Sequence, residues 1–431
     1  MRYSSRTVEK PLSEKPPFVY RAPTVRWVDY ARRSWQRLGH LKIACALANS
    51  STGTTLEGLT SRFEAVVTSL QGVPEPTRTQ VWNYIRSFRP NRYPRDGQGA
   101  GQVELQDLYL SDPNLPSHSG AITGDMGASG YRHAVYVEIP AWAVRLRLLR
   151  RENYTITDRG KALACLRPGQ PEHIRSYDPV RNPFNLSLGE RYFFLYCLLD
   201  ADGDLIQRIF SSLLILQGPV TRSKIGEIAA EALQALSAER LRLGASGRSQ
   251  IIANRISATV QSVEKQKGTG MGPRESLATP RTEPLVDCGL LSRADPTSYA
   301  YLLTQQGRDF VTEMVKSTTL DQFIYTKLAG RTAHLIDLDV DPDKVRRFVA
   351  RSYARLRSGL GYCSIREVAL LAVALALDEC ASCAFELRDA ELEISEAGRH
   401  YGKEVRFTKS RQGDIALVRI SPRVVAELTN E

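Results

Sequence analysis

Apolar side chains recur at three- and four-residue intervals along most of this chain, and the breaks between those runs mark its elements. A helix is expected from near Thr24, with Trp27, Ala31, Ser34, Trp35 and Leu38 on one face and Arg32, Arg33 and Arg37 elsewhere. Helices follow over 56–70 and 77–88, and the Gly-, Pro-, Asp- and Ser-rich stretch 90–130 reads as a long surface loop. "AVYVEIP" reads as a short strand. After a polar stretch at 167–183 comes the strongest helical pattern, "LSLGERYFFLYCLLDADGDLIQRIFSSLLIL", with Ser187 as N-cap. Two further helices are expected near 222–241 and 246–267, then a flexible joint, "GTGMGPRES". In the last third Asp341 caps a helix that starts at Pro342, with Val345, Phe348, Val349, Ser352 and Leu356 as its apolar stripe. "SIREVALLAVALALDE" and "RDAELEISEAGRHYGKE" continue as helices. "VRFTKSRQGDIALVRI" is a hairpin with its turn near Ser410–Gly413.

Within this pattern one ten-residue phrase occurs twice. "YTITDRGKAL" begins at Tyr154 and "YLLTQQGRDF" at Tyr301. In each, alternation at the start predicts a strand, the threonine (Thr157, Thr304) caps a helix, and the glycine (Gly160, Gly307) allows tight packing of the first turn. Leu148, Leu149 and Arg151 precede the first copy as Leu290, Leu291 and Arg293 precede the second. Ahead of the second, Thr279 as N-cap, Pro280 at the first helical position and Gly289 as the stop predict a helix.

The resulting order is helix, strand, loop, strand, helix, clearest in "TPRTEPLVDCGLLSRADPTSYAYLLTQQGRDFV". It resembles the winged helix-turn-helix DNA-binding superfamily, in which a three-helix core is followed by a two-stranded wing. The final hairpin resembles a third wing by architecture alone. The resemblance implies a mainly α fold with small β-hairpin wings (α+β). An N-terminal arm would cover 1–23, a helical domain ending in a first winged-helix module 24–170, a second winged-helix domain 184–320, and a C-terminal winged-helix-like domain 321–431. It also implies that the helix before each wing enters the major groove while the wing touches backbone or minor groove. The DNA-binding candidates are then Arg145, Arg147, Arg150 and Arg151 around the first module. They are Arg274, Arg281, Thr282 and Arg293 at the second, and Arg399, Lys403, Arg406, Lys409 and Arg411 at the third. The planar fork of Arg suits phosphate and guanine edges.

Charge points the same way. The 431 residues carry a net charge of +11, a surplus that favours a polyanionic partner. The length suggests two or three domains. Seven scattered cysteines suggest no disulfide framework and a reducing compartment. The N-terminus has no apolar signal-like core and no stretch is long enough to span a bilayer, so a cytoplasmic location is expected.

Other motifs carry less. "CASC" (Cys380–Cys383) reads as two small core cysteines on a helix, because no second pair lies nearby. The histidines show no ligand spacing, and "GTGMG" lacks the Gly-Lys-Ser/Thr of a phosphate loop. No metal or cofactor is expected. The leading expectation is a non-enzymatic duplex-DNA-binding subunit or adaptor of a prokaryotic complex. By analogy with anti-phage defence and mobile-element systems, a helicase, ATPase or nuclease partner supplies the chemistry. The alternatives are a plasmid or phage replication initiator, a metal-dependent nuclease built on Asp337, Asp339 and Asp341, and a pure protein-interaction scaffold.

Overall fold

A computed structural model describes residues 18, 26, 38–49, 139–150, 154–166, 186–242, 247–265, 275–294, 300–357, 359, 361–409 and 416–430. The expected helices at 56–70 and 77–88, the loops at 90–130 and 167–183, and most of the N-terminal arm lie outside these residues. At Arg26 the backbone is not helical, so the helix expected from near Thr24 does not include this position.

The described chain is mostly helical, with two small antiparallel sheets. Helices α1 (Leu38–Asn49), α2 (Ile139–Arg145) and α3 (Asp158–Leu166) come first. The strand expected at "AVYVEIP" is corrected at its end, because Ile139 and Pro140 open α2, where proline's fixed φ suits a first turn. The long helix α4 (Leu188–Leu216) begins at Ser187, whose side chain accepts from the N–H of Glu190 while the Glu190 carboxylate accepts from the N–H of Ser187. It kinks at Asp202, whose φ of −133° is not helical.

Strand β1 (Val220–Thr221), α5 (Arg222–Arg242), α6 (Gly247–Lys265), α7 (Glu275–Asp287), β2 (Leu291–Arg293) and β3 (Ala300–Leu303) follow, with sheet order β1-β3-β2. Helix α7 starts at Glu275 and takes Pro280 and Pro284 into its interior, so Thr279 is not its cap. Helices α8 (Gln305–Lys316), α9 (Leu320–Thr326) and α10 (Leu328–Thr332) lead to the last third.

That third runs α11 (Pro342–Leu356), β4 (Cys363–Ser364), α12 (Ile365–Glu379), α13 (Leu387–Tyr401), β5 (Val405–Lys409), β6 (Ala416–Ile420) and α14 (Pro422–Asn430). Its sheet order, β4-β6-β5, repeats the arrangement of the first sheet. Asp341 caps α11 as expected, accepting from the N–H of Asp343, and the whole predicted stripe of α11 is buried.

The two ten-residue phrases build the same corner, bond for bond. The chain leaves α2 and α7 through a left-handed residue, Arg147 at φ 61° and Gly289 at φ 78°. The N–H of Leu148 then reaches back to Ala143 O (2.8 Å), as that of Leu290 reaches Leu285 O (2.9 Å). After the loop, Thr157 N–H donates to Leu148 O (3.0 Å) and Thr304 N–H to Leu290 O (3.1 Å). Each threonine hydroxyl accepts from the glycine N–H three residues on, at 3.0 Å for Gly160 and 2.9 Å for Gly307. A Cβ on Gly160 would sit 2.2 Å from Leu148 O, and one on Gly307 2.0 Å from Leu290 O. No side chain fits there.

Buried helices hold the parts together. Helix α12 lies centrally against α3, α4, α11 and α13. At its crossing with α4 a Cβ on Gly189 would meet Ala374 O at 2.1 Å, and Asp378 accepts from Gly189 N (2.7 Å) and Ser187 Oγ (2.9 Å). The guanidinium of Arg159, on α3, binds Asp200 of α4 (2.9 Å) and Glu367 of α12 (3.3 Å), so one buried cation ties three helices from distant parts of the chain. Lys42 pairs with Glu190 (3.0 Å), joining α1 to α4. Apolar packing is continuous through all of these elements. Among the described residues no helix is long and apolar enough to cross a membrane.

Gly160→Ala and Gly307→Ala should each lower stability by at least about 1–3 kcal/mol, the usual cost of overpacking. Gly359→Ala should be near neutral, since a Cβ there meets nothing within 4 Å. Urea midpoints of the three full-length variants check this.

Candidate nucleic-acid interface

The second set of candidates turns inward. Residues 277–285 of α7 are buried without interruption. Arg281 is 2 % exposed and pairs with Asp202 at the kink of α4 (2.6 Å) while donating to Leu277 O (2.8 Å). Thr282 is fully buried and its hydroxyl donates to Ala278 O. As candidate DNA contacts Arg281 and Thr282 are therefore corrected: α7 packs against α5 and α4, and no face of this stretch is open to a groove. Arg293 is also committed, with its guanidinium on Glu283 (2.7 Å) beside the Tyr301 hydroxyl on the same carboxylate (2.5 Å). Burial and the Glu283 carboxylate push the Tyr301 hydroxyl well above the usual range, so it stays a donor. Arg274 lies outside the described residues.

Around the first corner the picture is mixed. Arg147 and Arg150 are exposed and Arg145 is half-buried; Arg151 lies outside the described residues. Arg147 lies 3.5 Å from Asp200, the carboxylate that Arg159 also holds.

The third set faces outward. Arg399, Lys403, Arg406 and Lys409 are all exposed, as is His400 in the last turn of α13. Arg411 lies outside the described residues. Period-two alternation puts Arg406, Thr408, Leu417 and Arg419 on one face of the hairpin, and Val405, Val418 and Ile420 on the other, buried. In the register Arg406 stands directly opposite Arg419. Tyr362 extends this row across β4, with the Arg419 guanidinium 5.9 Å from its ring centroid. Gly361, at φ 73°, makes the turn into this strand, and its carbonyl takes the Tyr353 hydroxyl (2.5 Å). The row across the sheet is thus Tyr362, Arg419, Arg406.

Among the described residues neither Arg406 nor Arg419 has a carboxylate partner, and Arg406 donates only to Lys403 O (3.3 Å). Arg423 lies nearby on α14, 79 % exposed and 3.6 Å from Glu404. Arg419 and Arg423 escape a reading of the sequence built on the helix before each wing, because they sit on the returning strand and beyond it. The alternation "ALVRI" followed by Ser-Pro-Arg was the available signal.

Carboxylates on α13 are paired with arginines. Glu393 pairs with Arg346 (2.8 Å) and Glu396 with Arg399 (2.6 Å). Asp337 and Asp339 are exposed, and Asp341 is spent on its helix cap. Among the described residues no three His, Cys, Asp or Glu side chains are grouped to hold a metal ion. No protein-family model, curated protein or solved structure matches this chain.

Arg281→Ala should cost about 3–5 kcal/mol of stability, because it removes one partner of a buried ion pair with Asp202. Arg406→Ala, on the surface, should stay within about 0.5 kcal/mol of the parent. Chemical denaturation of the two proteins separates an internal from an external role.

Proposed function

We propose that this chain is a duplex-DNA-binding subunit whose C-terminal winged helix grips the sugar-phosphate backbone with its wing. The observation that carries the proposal is the directly opposed pair Arg406 and Arg419 on the open face of the hairpin. Like charges opposite each other on a sheet are destabilising unless an anion lies between them. Lys403 and Arg423 add exposed cations at the neighbouring ends of the hairpin, and Tyr362 gives the row an aromatic edge; Lys409 is exposed but belongs to the opposite face. The winged-helix reading is supported by the order α11, β4, α12, α13, β5, β6 and by a sheet in which the last strand lies between the other two.

Contact led by the wing fits the charges better than contact led by a helix. On α13 the exposed Glu396 is paired with Arg399, so this helix offers less net positive charge than the hairpin. Backbone contacts position a protein on DNA without reading bases, so the expected binding is strong at low salt and weakly sequence-dependent. The middle module has its equivalent helix buried and serves as architecture. In the assembly we envisage, a partner subunit supplies any chemistry performed on the DNA.

Arg406→Ala with Arg419→Ala should weaken binding of the full-length protein to several unrelated duplexes by a similar factor. The slope of log K against log salt should become shallower by roughly 0.9 for each phosphate that the variant no longer neutralises. Arg208→Ala, which removes an exposed Arg208–Glu239 pair elsewhere (2.8 Å), should change neither. Fluorescence anisotropy across a salt series gives both quantities. Equal effects from the two sets of variants would sink the proposal.

A further inference from the structure

The "CASC" cysteines are not core residues on a helix. Helix α12 stops at Glu379, Cys380 is extended, and residues 381–383 form a single 3-10 turn before α13. Cys380 is exposed and Cys383 half-buried, whereas Cys45, Cys197, Cys288 and Cys363 are buried. The N–H of Cys383 donates to Cys380 O (2.8 Å), so the two residues start and close one turn. Three residues of 3-10 rise span about 6 Å, within the separation a disulfide accepts. The Ser382 hydroxyl lies 2.8 Å from Cys380 Sγ.

We propose that Cys380 and Cys383 form a reversible thiol–disulfide site on the surface turn between α12 and α13, with Cys380 attacking and Cys383 resolving. The two thiols are unequal in the sense this order needs. Hydrogen bonds from the Ser382 hydroxyl, then from neighbouring N–H groups and the Cys383 thiol, hold the Cys380 thiol below its ordinary value. Burial, and then the adjoining Cys380 sulfur, push Cys383 above it. The more accessible sulfur is therefore the better thiolate, and the better-shielded one keeps its proton until a partner is in place.

The oxidant class is a small disulfide such as glutathione disulfide. Cys380 thiolate attacks one of its sulfurs; that S–S bond breaks, and one glutathione leaves as thiolate and takes up a proton. Cys383 then gives up its proton and attacks Cys380 Sγ. The mixed disulfide breaks and the second glutathione leaves. Two protein thiols are oxidised and one external disulfide is reduced to two thiols.

The test uses the full-length protein in glutathione buffers of graded ratio, followed by acid quenching, alkylation and peptide mapping by mass spectrometry. The parent should show a Cys380–Cys383 disulfide in oxidising buffer that disappears on reduction. Cys383→Ser should accumulate glutathione on Cys380, while Cys380→Ser should leave Cys383 largely free. In the reduced parent, iodoacetamide should modify Cys380 at least about tenfold faster than Cys383. Unchanged melting temperatures of both serine variants show that the comparison is made on folded protein, as expected for a surface turn. Absence of the disulfide in fully oxidised buffer, or equal glutathionylation of the two variants, overturns the proposal.

Discussion

One carbonyl oxygen at each repeated corner does more than any other atom to fix the chain's path. Leu148 O accepts the N–H of Thr157 and lies 2.9 Å from its hydroxyl, and it occupies the space where a Cβ on residue 160 would stand. Leu290 O has the same three relations with Thr304 and Gly307. The strand end, the cap and the first helical turn are thereby locked into one rigid unit. The consequence reaches across the molecule, because Arg159 lies in that same first turn. A corner held this tightly delivers its guanidinium between Asp200 and Glu367, where the ion pairs are short and shielded from water.

The C-terminal corner keeps the connectivity and relaxes the contact. Ser421 N–H donates to Glu404 O (2.9 Å), and its hydroxyl turns to the Glu404 carboxylate (2.7 Å) instead of a main-chain carbonyl. Val424, fully buried, stands where the other two corners have glycine. The ten-residue phrase is absent here because the close approach that demands it is absent. This explains how the last hairpin could be recognised by architecture and not by sequence.

Periodicity and capping residues were enough to place α4, α5, α6, α11, α12 and α13 and the last hairpin, because each has an apolar stripe or an unambiguous cap, as with Ser187 and Asp341. The candidate site was legible only in part. A sequence shows where a charge is, not which way it points. Arg281, Arg293 and Arg159 look like any other arginine until a buried carboxylate is found for each. The available signal was "DADGD", carboxylates inside an otherwise apolar helix, since buried Asp200 and Asp202 require cations from elsewhere in the chain. The CxxC pair was misplaced for a related reason. The apolar run and its end at Glu379 were legible, but four small residues between two helices look like a helical continuation until the extended backbone of Cys380 is seen.

The internal ion pairs also sharpen what the net charge means. Arg159 with Asp200, Arg281 with Asp202, Lys42 with Glu190 and Arg366 with Glu391 each remove one charge of either sign from the surface. They cancel, so the surplus of +11 is carried entirely by the remaining residues. Where that surplus gathers on a rigid element, its long-range field is least blurred by side-chain motion. The C-terminal hairpin is such an element: its inner face is anchored by Val405, Val418 and Ile420, and its outer face carries two arginines at directly opposed register positions. Like charges at directly opposed register positions are unfavourable on a sheet, and on the reading proposed above a bound phosphate would offset that cost.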